Sequence, residues 1–275
     1  MKKYRKLFIS IGLSVIAFIL NSILFNYMRL EQPIFLKHYY EIQLEEGSGF
    51  NIYCIMNNED DKEVVRLEFP ELNSDEHVFK VNKGNSFSLN SHHDQKEYWI
   101  DYHYMGTSDP LLEEIHLKEA RITFNNGEKS NIPIGEIVFY SPQRGIENRR
   151  PLKYTFSRAS SLGEITSQAT ITEDVEVLEG KSTLDYLVND LIELKINGEA
   201  PSHKNLKKDM PWILEGKLEV KEGDSRRFNA YDIQTRIYFR RLSGEIVVEP
   251  IFNLKYSPYF TMMESYKYIK KLGGI

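Results

Sequence analysis

The chain has 275 residues, 41% hydrophobic and 27% charged, the proportions of a folded protein rather than a disordered one. Its formal charge of -5 is uneven: residues 29–150 carry 13 Lys and Arg against 22 Asp and Glu, whereas residues 151–275 carry 18 of each. Neither half offers the cationic surface that a phosphate backbone requires, which argues against nucleic acid as a partner. The single cysteine, Cys54, excludes an intrachain disulfide. It lies in the apolar run FNIYCIM and is expected to be a buried, inert thiol.

The chain opens with Lys2, Lys3, Arg5 and Lys6, followed by the uncharged run LFISIGLSVIAFILNSILFNYM at 7–28. As a helix this run is long enough to cross a hydrocarbon core of ~30 Å. A cleavable signal has a shorter apolar region and ends in small residues at the cleavage site. Here Ile23, Leu24 and Phe25 occupy that end, so an uncleaved anchor is expected. The basic flank places residues 1–6 in the cytoplasm and the body outside the membrane. The predicted location is therefore the cell membrane, single-pass, with an extracytoplasmic body. Residues 29–37 form a short connector in which Pro33 stops the helix.

From His38 the apolar pattern has period two. Strands are expected at 38–44, 50–56, 64–69, 77–81, 86–90 and 97–105, with polar or glycine turns between them. In the last of these, Tyr98, Ile100, Tyr102 and Tyr104 share one face, and Trp99, Asp101 and His103 share the other. Residues 119–124 and 134–140 flank Asn125-Asn126-Gly127, a strong hairpin signal. The stretch 141–151 combines Pro, Gly and charge without apolar periodicity and is the expected domain boundary.

The second half continues with strands at 152–157, 164–171, 174–179, 212–220, 232–241 and 245–256. In the fifth, Ile233, Thr235, Ile237 and Phe239 form the core face. Pro250 marks an edge or bulge in the sixth. Residues 184–196 fit a helix capped by Ser182 or Thr183 and also fit a strand pair; helix is the expectation. Residues 200–210 read as loop. Thr261 and Glu264 form a capping-box pattern ahead of a helix at 262–272. Trp99-Ile100 and Trp212-Ile213, and the Tyr-Ser-Pro triplets at 140–142 and 256–258, recur at similar separations and raise an internal duplication as one possibility.

The expected fold is thus mainly β. A transmembrane helix at 7–28 precedes two tandem antiparallel β-sandwich domains of immunoglobulin-like kind, at 38–142 and 152–275, with a short C-terminal helix. The architecture resembles that of single-pass, low-cysteine surface proteins of Gram-positive bacteria, a resemblance that transfers no residue roles.

No phosphate-binding glycine loop, nucleophile elbow, HExxH or CxxC occurs, and no cofactor is implied. Ser91-His92-His93-Asp94 with Asp101 and His103 has metal-ligating residue types. Neighbouring side chains on a strand point to opposite faces, however, so a polar turn is the simpler reading. Trp99, Tyr102 and His103 offer a stacking surface for sugar or protein. Arg226, Arg227 and Arg240, with Arg149, Arg150 and Arg241, offer a cationic patch for anionic polymer or lipid. The expectation is a non-catalytic, membrane-anchored module that binds an envelope protein or polysaccharide. The alternatives are a cell-envelope enzyme acting on wall polymer and an accessory subunit of a membrane complex.

Overall fold

The computed structural model describes residues 2–45, 47–106, 114–140, 150–160 and 163–272. Helix α1 spans Lys2–Met28, and its stretch Ser10–Met28 is long and apolar enough to cross a membrane. The first half then forms β1 (Ile34–Phe35), β2 (His38–Gln43), β3 (Gly49–Asn57), β4 (Val64–Glu68), β5 (His77–Ser88), β6 (His93–Tyr104), β7 (Ile115–Phe124) and β8 (Lys129–Tyr140). The second half forms β9 (Leu152–Ala159), β10 (Glu164–Ile171), β11 (Val175–Lys181), a single turn α2 (Asp185–Val188), β12 (Ile192–Ile196), β13 (Lys204–Leu206) and β14 (Pro211–Leu218). A 3-10 turn (Ser225–Phe228), β15 (Ala230–Arg241), β16 (Ile246–Tyr256) and α3 (Met262–Lys271) complete the chain.

The strands build three sheets. Two have four strands each, in the orders β1-β3-β6-β5 and β12-β14-β10-β9. The third runs β13-β11-β15-β2-β8-β7-β4, with β16 on the other edge of β15. Apolar side chains on facing strands gather in two cores, because each sheet has one apolar face to bury. In the first core Phe139 of β8 meets Phe50 of β3 at 5.9 Å and Phe79 of β5 at 5.7 Å between ring centroids. In the second, Trp212 of β14 meets Phe239 of β15 at 5.5 Å.

The large sheet passes through both cores by way of β2, which is parallel to both of its neighbours. His38–Gln43 pairs with Gly135–Tyr140 of β8, and His38–Tyr40 pairs with Ala230–Asp232 of β15. Gly135 permits the first pairing. It has φ of +96°, and a Cβ there would lie 2.5 Å from the His38 carbonyl oxygen, so only glycine fits.

Most expected strands form, and three details differ. Residues 77–81 and 86–90 are largely one strand, β5, with a register shift between Lys83 and Ser86 around Gly84. Residues 184–196 divide into one helical turn and a strand, because the chain leaves the helix at Asn189 and Ile192–Ile196 then pairs with β14. The expected loop at 200–210 contains β13, which pairs with β11 at the sheet edge. Pro250 falls at a register shift on the edge strand β16. The two tryptophans differ in setting: Trp212 is buried and Trp99 is 39% exposed. The expected boundary at 141–151 lies, apart from Arg150 and Pro151, outside the described residues, as does Arg149.

Candidate functional site

A helix ends with carbonyl groups that have no intrahelical partner, and at the end of α1 the β-body supplies partners. His93, the first residue of β6, places Nε2 2.9 Å from the Met28 carbonyl oxygen. Asn57, the last residue of β3, receives the Leu30 amide on Oδ1 at 2.8 Å and donates from Nδ2 to the Leu30 carbonyl at 2.9 Å. The same Nδ2 donates to Asp60 at 2.8 Å, and Asp60 pairs with Arg29 at 3.0 Å. Leu30 is buried in the first core, and the Phe25 ring lies 5.1 Å from that of His92. The connector therefore leaves the helix already fastened to two strands. It is a joint rather than a hinge.

Asn90 orients this joint from behind. Its Oδ1 accepts the backbone amides of His92 and His93 at 2.9 and 3.0 Å and faces His93 Nδ1 at 3.1 Å. Its Nδ2 donates to the Ser265 hydroxyl of α3 at 2.9 Å. Donation to Met28 puts the proton of a neutral His93 ring on Nε2. A second proton on Nδ1 would suit Asn90, but burial opposes it and holds the His93 pKa below the ordinary histidine value, against the pull of the Met28 carbonyl.

A second polar cluster marks the place where β2 and β11 diverge along one edge of β15. Glu41 of β2 sits in that fork, fully buried, and receives the Thr183 amide on Oε1 at 2.6 Å. Arg236 of β15 stands 3.9 Å from Glu41 and 3.4 Å from Glu114, donates to the Thr183 hydroxyl, and lies 5.0 Å over the Tyr140 ring. Burial outweighs Arg236 and raises the Glu41 pKa to about 7. Glu249 of β16 is also buried, 3.8 Å from Arg150, and burial raises it to about 7. Carboxyls with such values suit acid–base chemistry. Both, however, are enclosed by protein and cannot touch a polymer, and Glu41 instead joins β2 to the Thr183 segment.

The residues singled out from sequence are dispersed. Trp99 projects outward from β6 and donates from its indole to Asp101, which also receives Asn82 at 2.6 Å. Tyr102 is 1% exposed, with its hydroxyl 3.0 Å from His77 Nδ1. It belongs to the core face and displays nothing. His103 is half-buried on the same outward row as Trp99. Arg226 is held by Asp190 at 2.6 Å and Asp224 at 2.8 Å, Arg227 by Glu264 at 2.6 Å, and Arg240 by Glu176 at 3.0 Å. Arg226 and Arg227 precede β15 and Arg240 lies next to its last residue, so roughly 33 Å of strand separates them. They do not form one patch, and carboxylates neutralise them where they stand. Among the described residues no group of three His, Cys, Asp or Glu could hold a metal ion. His92 and His93 instead serve the joint. The roles of Asn57 and His93 escaped sequence reasoning because each stood in what reads as an ordinary polar turn. Cys54 is buried as expected, and burial pushes its thiol up to about 12.

The sequence matches no protein-family model and no curated relative. Solved structures it resembles include the Pseudomonas aeruginosa CupB2 chaperone, at 9% identity and a TM-score of 0.23, covering 79% of this chain and 98% of that one. Others are mouse clustered PcdhgC3 EC1-3, at 11% identity and 0.22, covering 82% of this chain and 68% of that one, and the Clostridium thermocellum CbhA fibronectin(III)-like modules, at 11% and 0.16, covering 84% and 93%. At TM-scores this low the likenesses carry neither a fold assignment nor a role.

Proposed function

We propose that the protein is a membrane-anchored, extracytoplasmic interaction module with no catalytic task. In this reading α1 spans the membrane, and two immunoglobulin-like sandwich units, residues 38–142 and 152–275, hold a binding surface close to the outer leaflet. The observation that carries the reading is the joint. The Met28 carbonyl, Arg29 and Leu30 are each bound by side chains of the β-body, so the apolar helix has a fixed direction relative to the sheets. A cleavable leader has no use for such contacts, whereas a permanent tether that must present one face does. The outward row of β6 around Trp99, with Asp101 and Asn82 beside the indole, is the surface assigned to an envelope protein or polysaccharide. An aromatic face flanked by polar groups suits either.

The test is made in intact cells. The full chain is expected in the carbonate-resistant membrane fraction at its full mass, with the body digested by external protease and residues 1–6 protected. A photo-crosslinking residue at Trp99 is expected to capture one partner, and the same residue at Leu242, on the β15–β16 turn, is not. Release by carbonate, loss of the first 28 residues, or equal capture from both positions would reject the reading.

A further inference from the structure

Helix α3 stands next to the place where α1 ends. Asn90 bonds Ser265 of α3 with one end of its amide and holds His93 with the other, and His93 caps Met28. The Tyr266 ring lies 6.5 Å from that of His93. Two side chains thus separate α3 from the last carbonyl of the apolar span. With 10 residues, α3 is about 15 Å long, and no part of it lies far from the level at which α1 would leave the hydrocarbon.

The roll of α3 about its axis is also fixed. Ser265 and Ile269 face inward and are buried. Phe228 stacks on Phe260 at 4.7 Å and meets Tyr268 at 5.0 Å. Glu264 closes the capping box with Thr261 and pairs with Arg227 at 2.6 Å. The opposite face consists of Met263, Lys267, Lys270 and Lys271, spaced i, i+4, i+7 and i+8, and all four are exposed. Met263 is 67% exposed, and Tyr259 and Met262 at the helix start are comparably bare. None of the three lysines makes a salt bridge with a described residue, whereas Arg226, Arg227, Arg240 and Arg241 all do. The outward face therefore carries three lysines without a salt bridge to a described residue, with Glu264 at its border acting on Lys267 only at longer range, beside exposed methionine and tyrosine. That composition suits electrostatic contact with anionic headgroups.

We propose that α3 is an interfacial helix whose Met263–Lys267–Lys270–Lys271 face rests on the anionic headgroup layer of the membrane entered by α1. The inference rests on the anchor reading, because only an inserted α1 brings α3 to the bilayer. The occupant is lipid, on two grounds. The charge is complementary to anionic headgroups, and α3 stands beside the end of the span, joined to it through Asn90 and His93. Docking would give the body a second point of attachment and oppose tilting of α1 and the rigidly joined body as one unit.

The experiment uses the full chain in nanodiscs of phosphatidylcholine, with or without phosphatidylglycerol, containing a lipid with a nitroxide near its headgroup. A fluorophore is placed on Met263→Cys, on Ile23→Cys near the outer end of α1, or on Leu242→Cys on the β15–β16 turn, with buried Cys54 unreactive. The expected result is quenching at 23 and at 263, the latter stronger with the anionic lipid, and none at 242. The triple variant Lys267→Glu, Lys270→Glu, Lys271→Glu is expected to lower the docked-to-free ratio at 263 by about tenfold or more. Quenching at 23 but not at 263 overturns the inference and leaves the anchor standing. Quenching at neither position overturns both. A label at 263 shielded from aqueous iodide but untouched by the nitroxide lipid would show a protein occupant and also overturn it.

Discussion

Replacing Asn57 with Ala tests the joint directly. The side chain makes two hydrogen bonds to the Leu30 backbone, at 2.8 and 2.9 Å, in a buried setting. Its loss leaves one amide and one carbonyl unpaired, and each such group costs about 1–3 kcal/mol when water cannot replace the partner. Partial relaxation and water entry reduce the sum, so about 2–4 kcal/mol is expected for opening of the joint, a factor of roughly 30 to 1,000 in its equilibrium. The main-chain pairing of Asn57 with His93 is untouched, so the sheets should persist. Hydrogen exchange in detergent micelles reads this locally: protection of the Leu30 amide should fall by that factor. Amides of Phe139 and Ile237, deep in the two cores, should change far less. Asn57→Asp keeps the acceptor for the Leu30 amide but turns the donor into a carboxylate oxygen facing the Leu30 carbonyl and Asp60, so it should open the joint at least as far as Ala. Unchanged exchange at Leu30 in the Ala variant would refute the claim that Asn57 fastens the connector.

Three further outcomes follow from the buried groups. Glu41, ordinarily near 4.5 and raised to about 7 in the fold, binds its proton more tightly when folded. Its contribution is fully present below pH 4.5 and is lost as pH rises through 7, by about 3 kcal/mol for a shift of this size. Glu41→Gln should therefore flatten the urea-unfolding free energy between pH 4.5 and 7, and an unchanged slope would count against it. His38 accepts the Tyr53 amide on Nε2 at 2.9 Å, and burial lowers its pKa from 6.5 to about 3. Its contribution is present above pH 6.5 and is lost as pH falls towards 3, so His38→Gln should shift the acid-unfolding midpoint downward and reduce its steepness. Gly135→Ala should cost more than about 2 kcal/mol, because the added carbon meets backbone in a left-handed conformation. The readout is the melting temperature, and a shift of only a degree or two would contradict the close β2–β8 approach.

Much of this molecule is legible in the chain because its causes are local. The uncharged run at 7–28 specifies one apolar helix, since any backbone placed in hydrocarbon must satisfy its own hydrogen bonds. Alternation over Tyr98–Tyr104 sends Tyr98, Ile100 and Tyr102 inward and Trp99 outward, because successive side chains of a strand face opposite ways. The same rule contradicts including Tyr102 in a binding surface with Trp99. Thr261 and Glu264 close their capping box within four residues and need no distant partner.

What the tertiary structure decided depends on pairs far apart in sequence. Nothing near His38 announces that β2 will lie parallel to both β8 and β15, because parallel pairing requires long crossovers whose partners leave no local signature. The arginines read as a possible patch until their carboxylates are located: Asp190 for Arg226, Glu264 for Arg227 and Glu176 for Arg240. Asn57 and His93 read as turn residues, and only the folded chain brings them to Met28 and Leu30. The sequence by itself determined an apolar helix, a β-rich body and a capped final helix. Only the fold decided that the first is locked to the second and that the third lies beside their junction, because those relations are carried by single hydrogen bonds between distant residues.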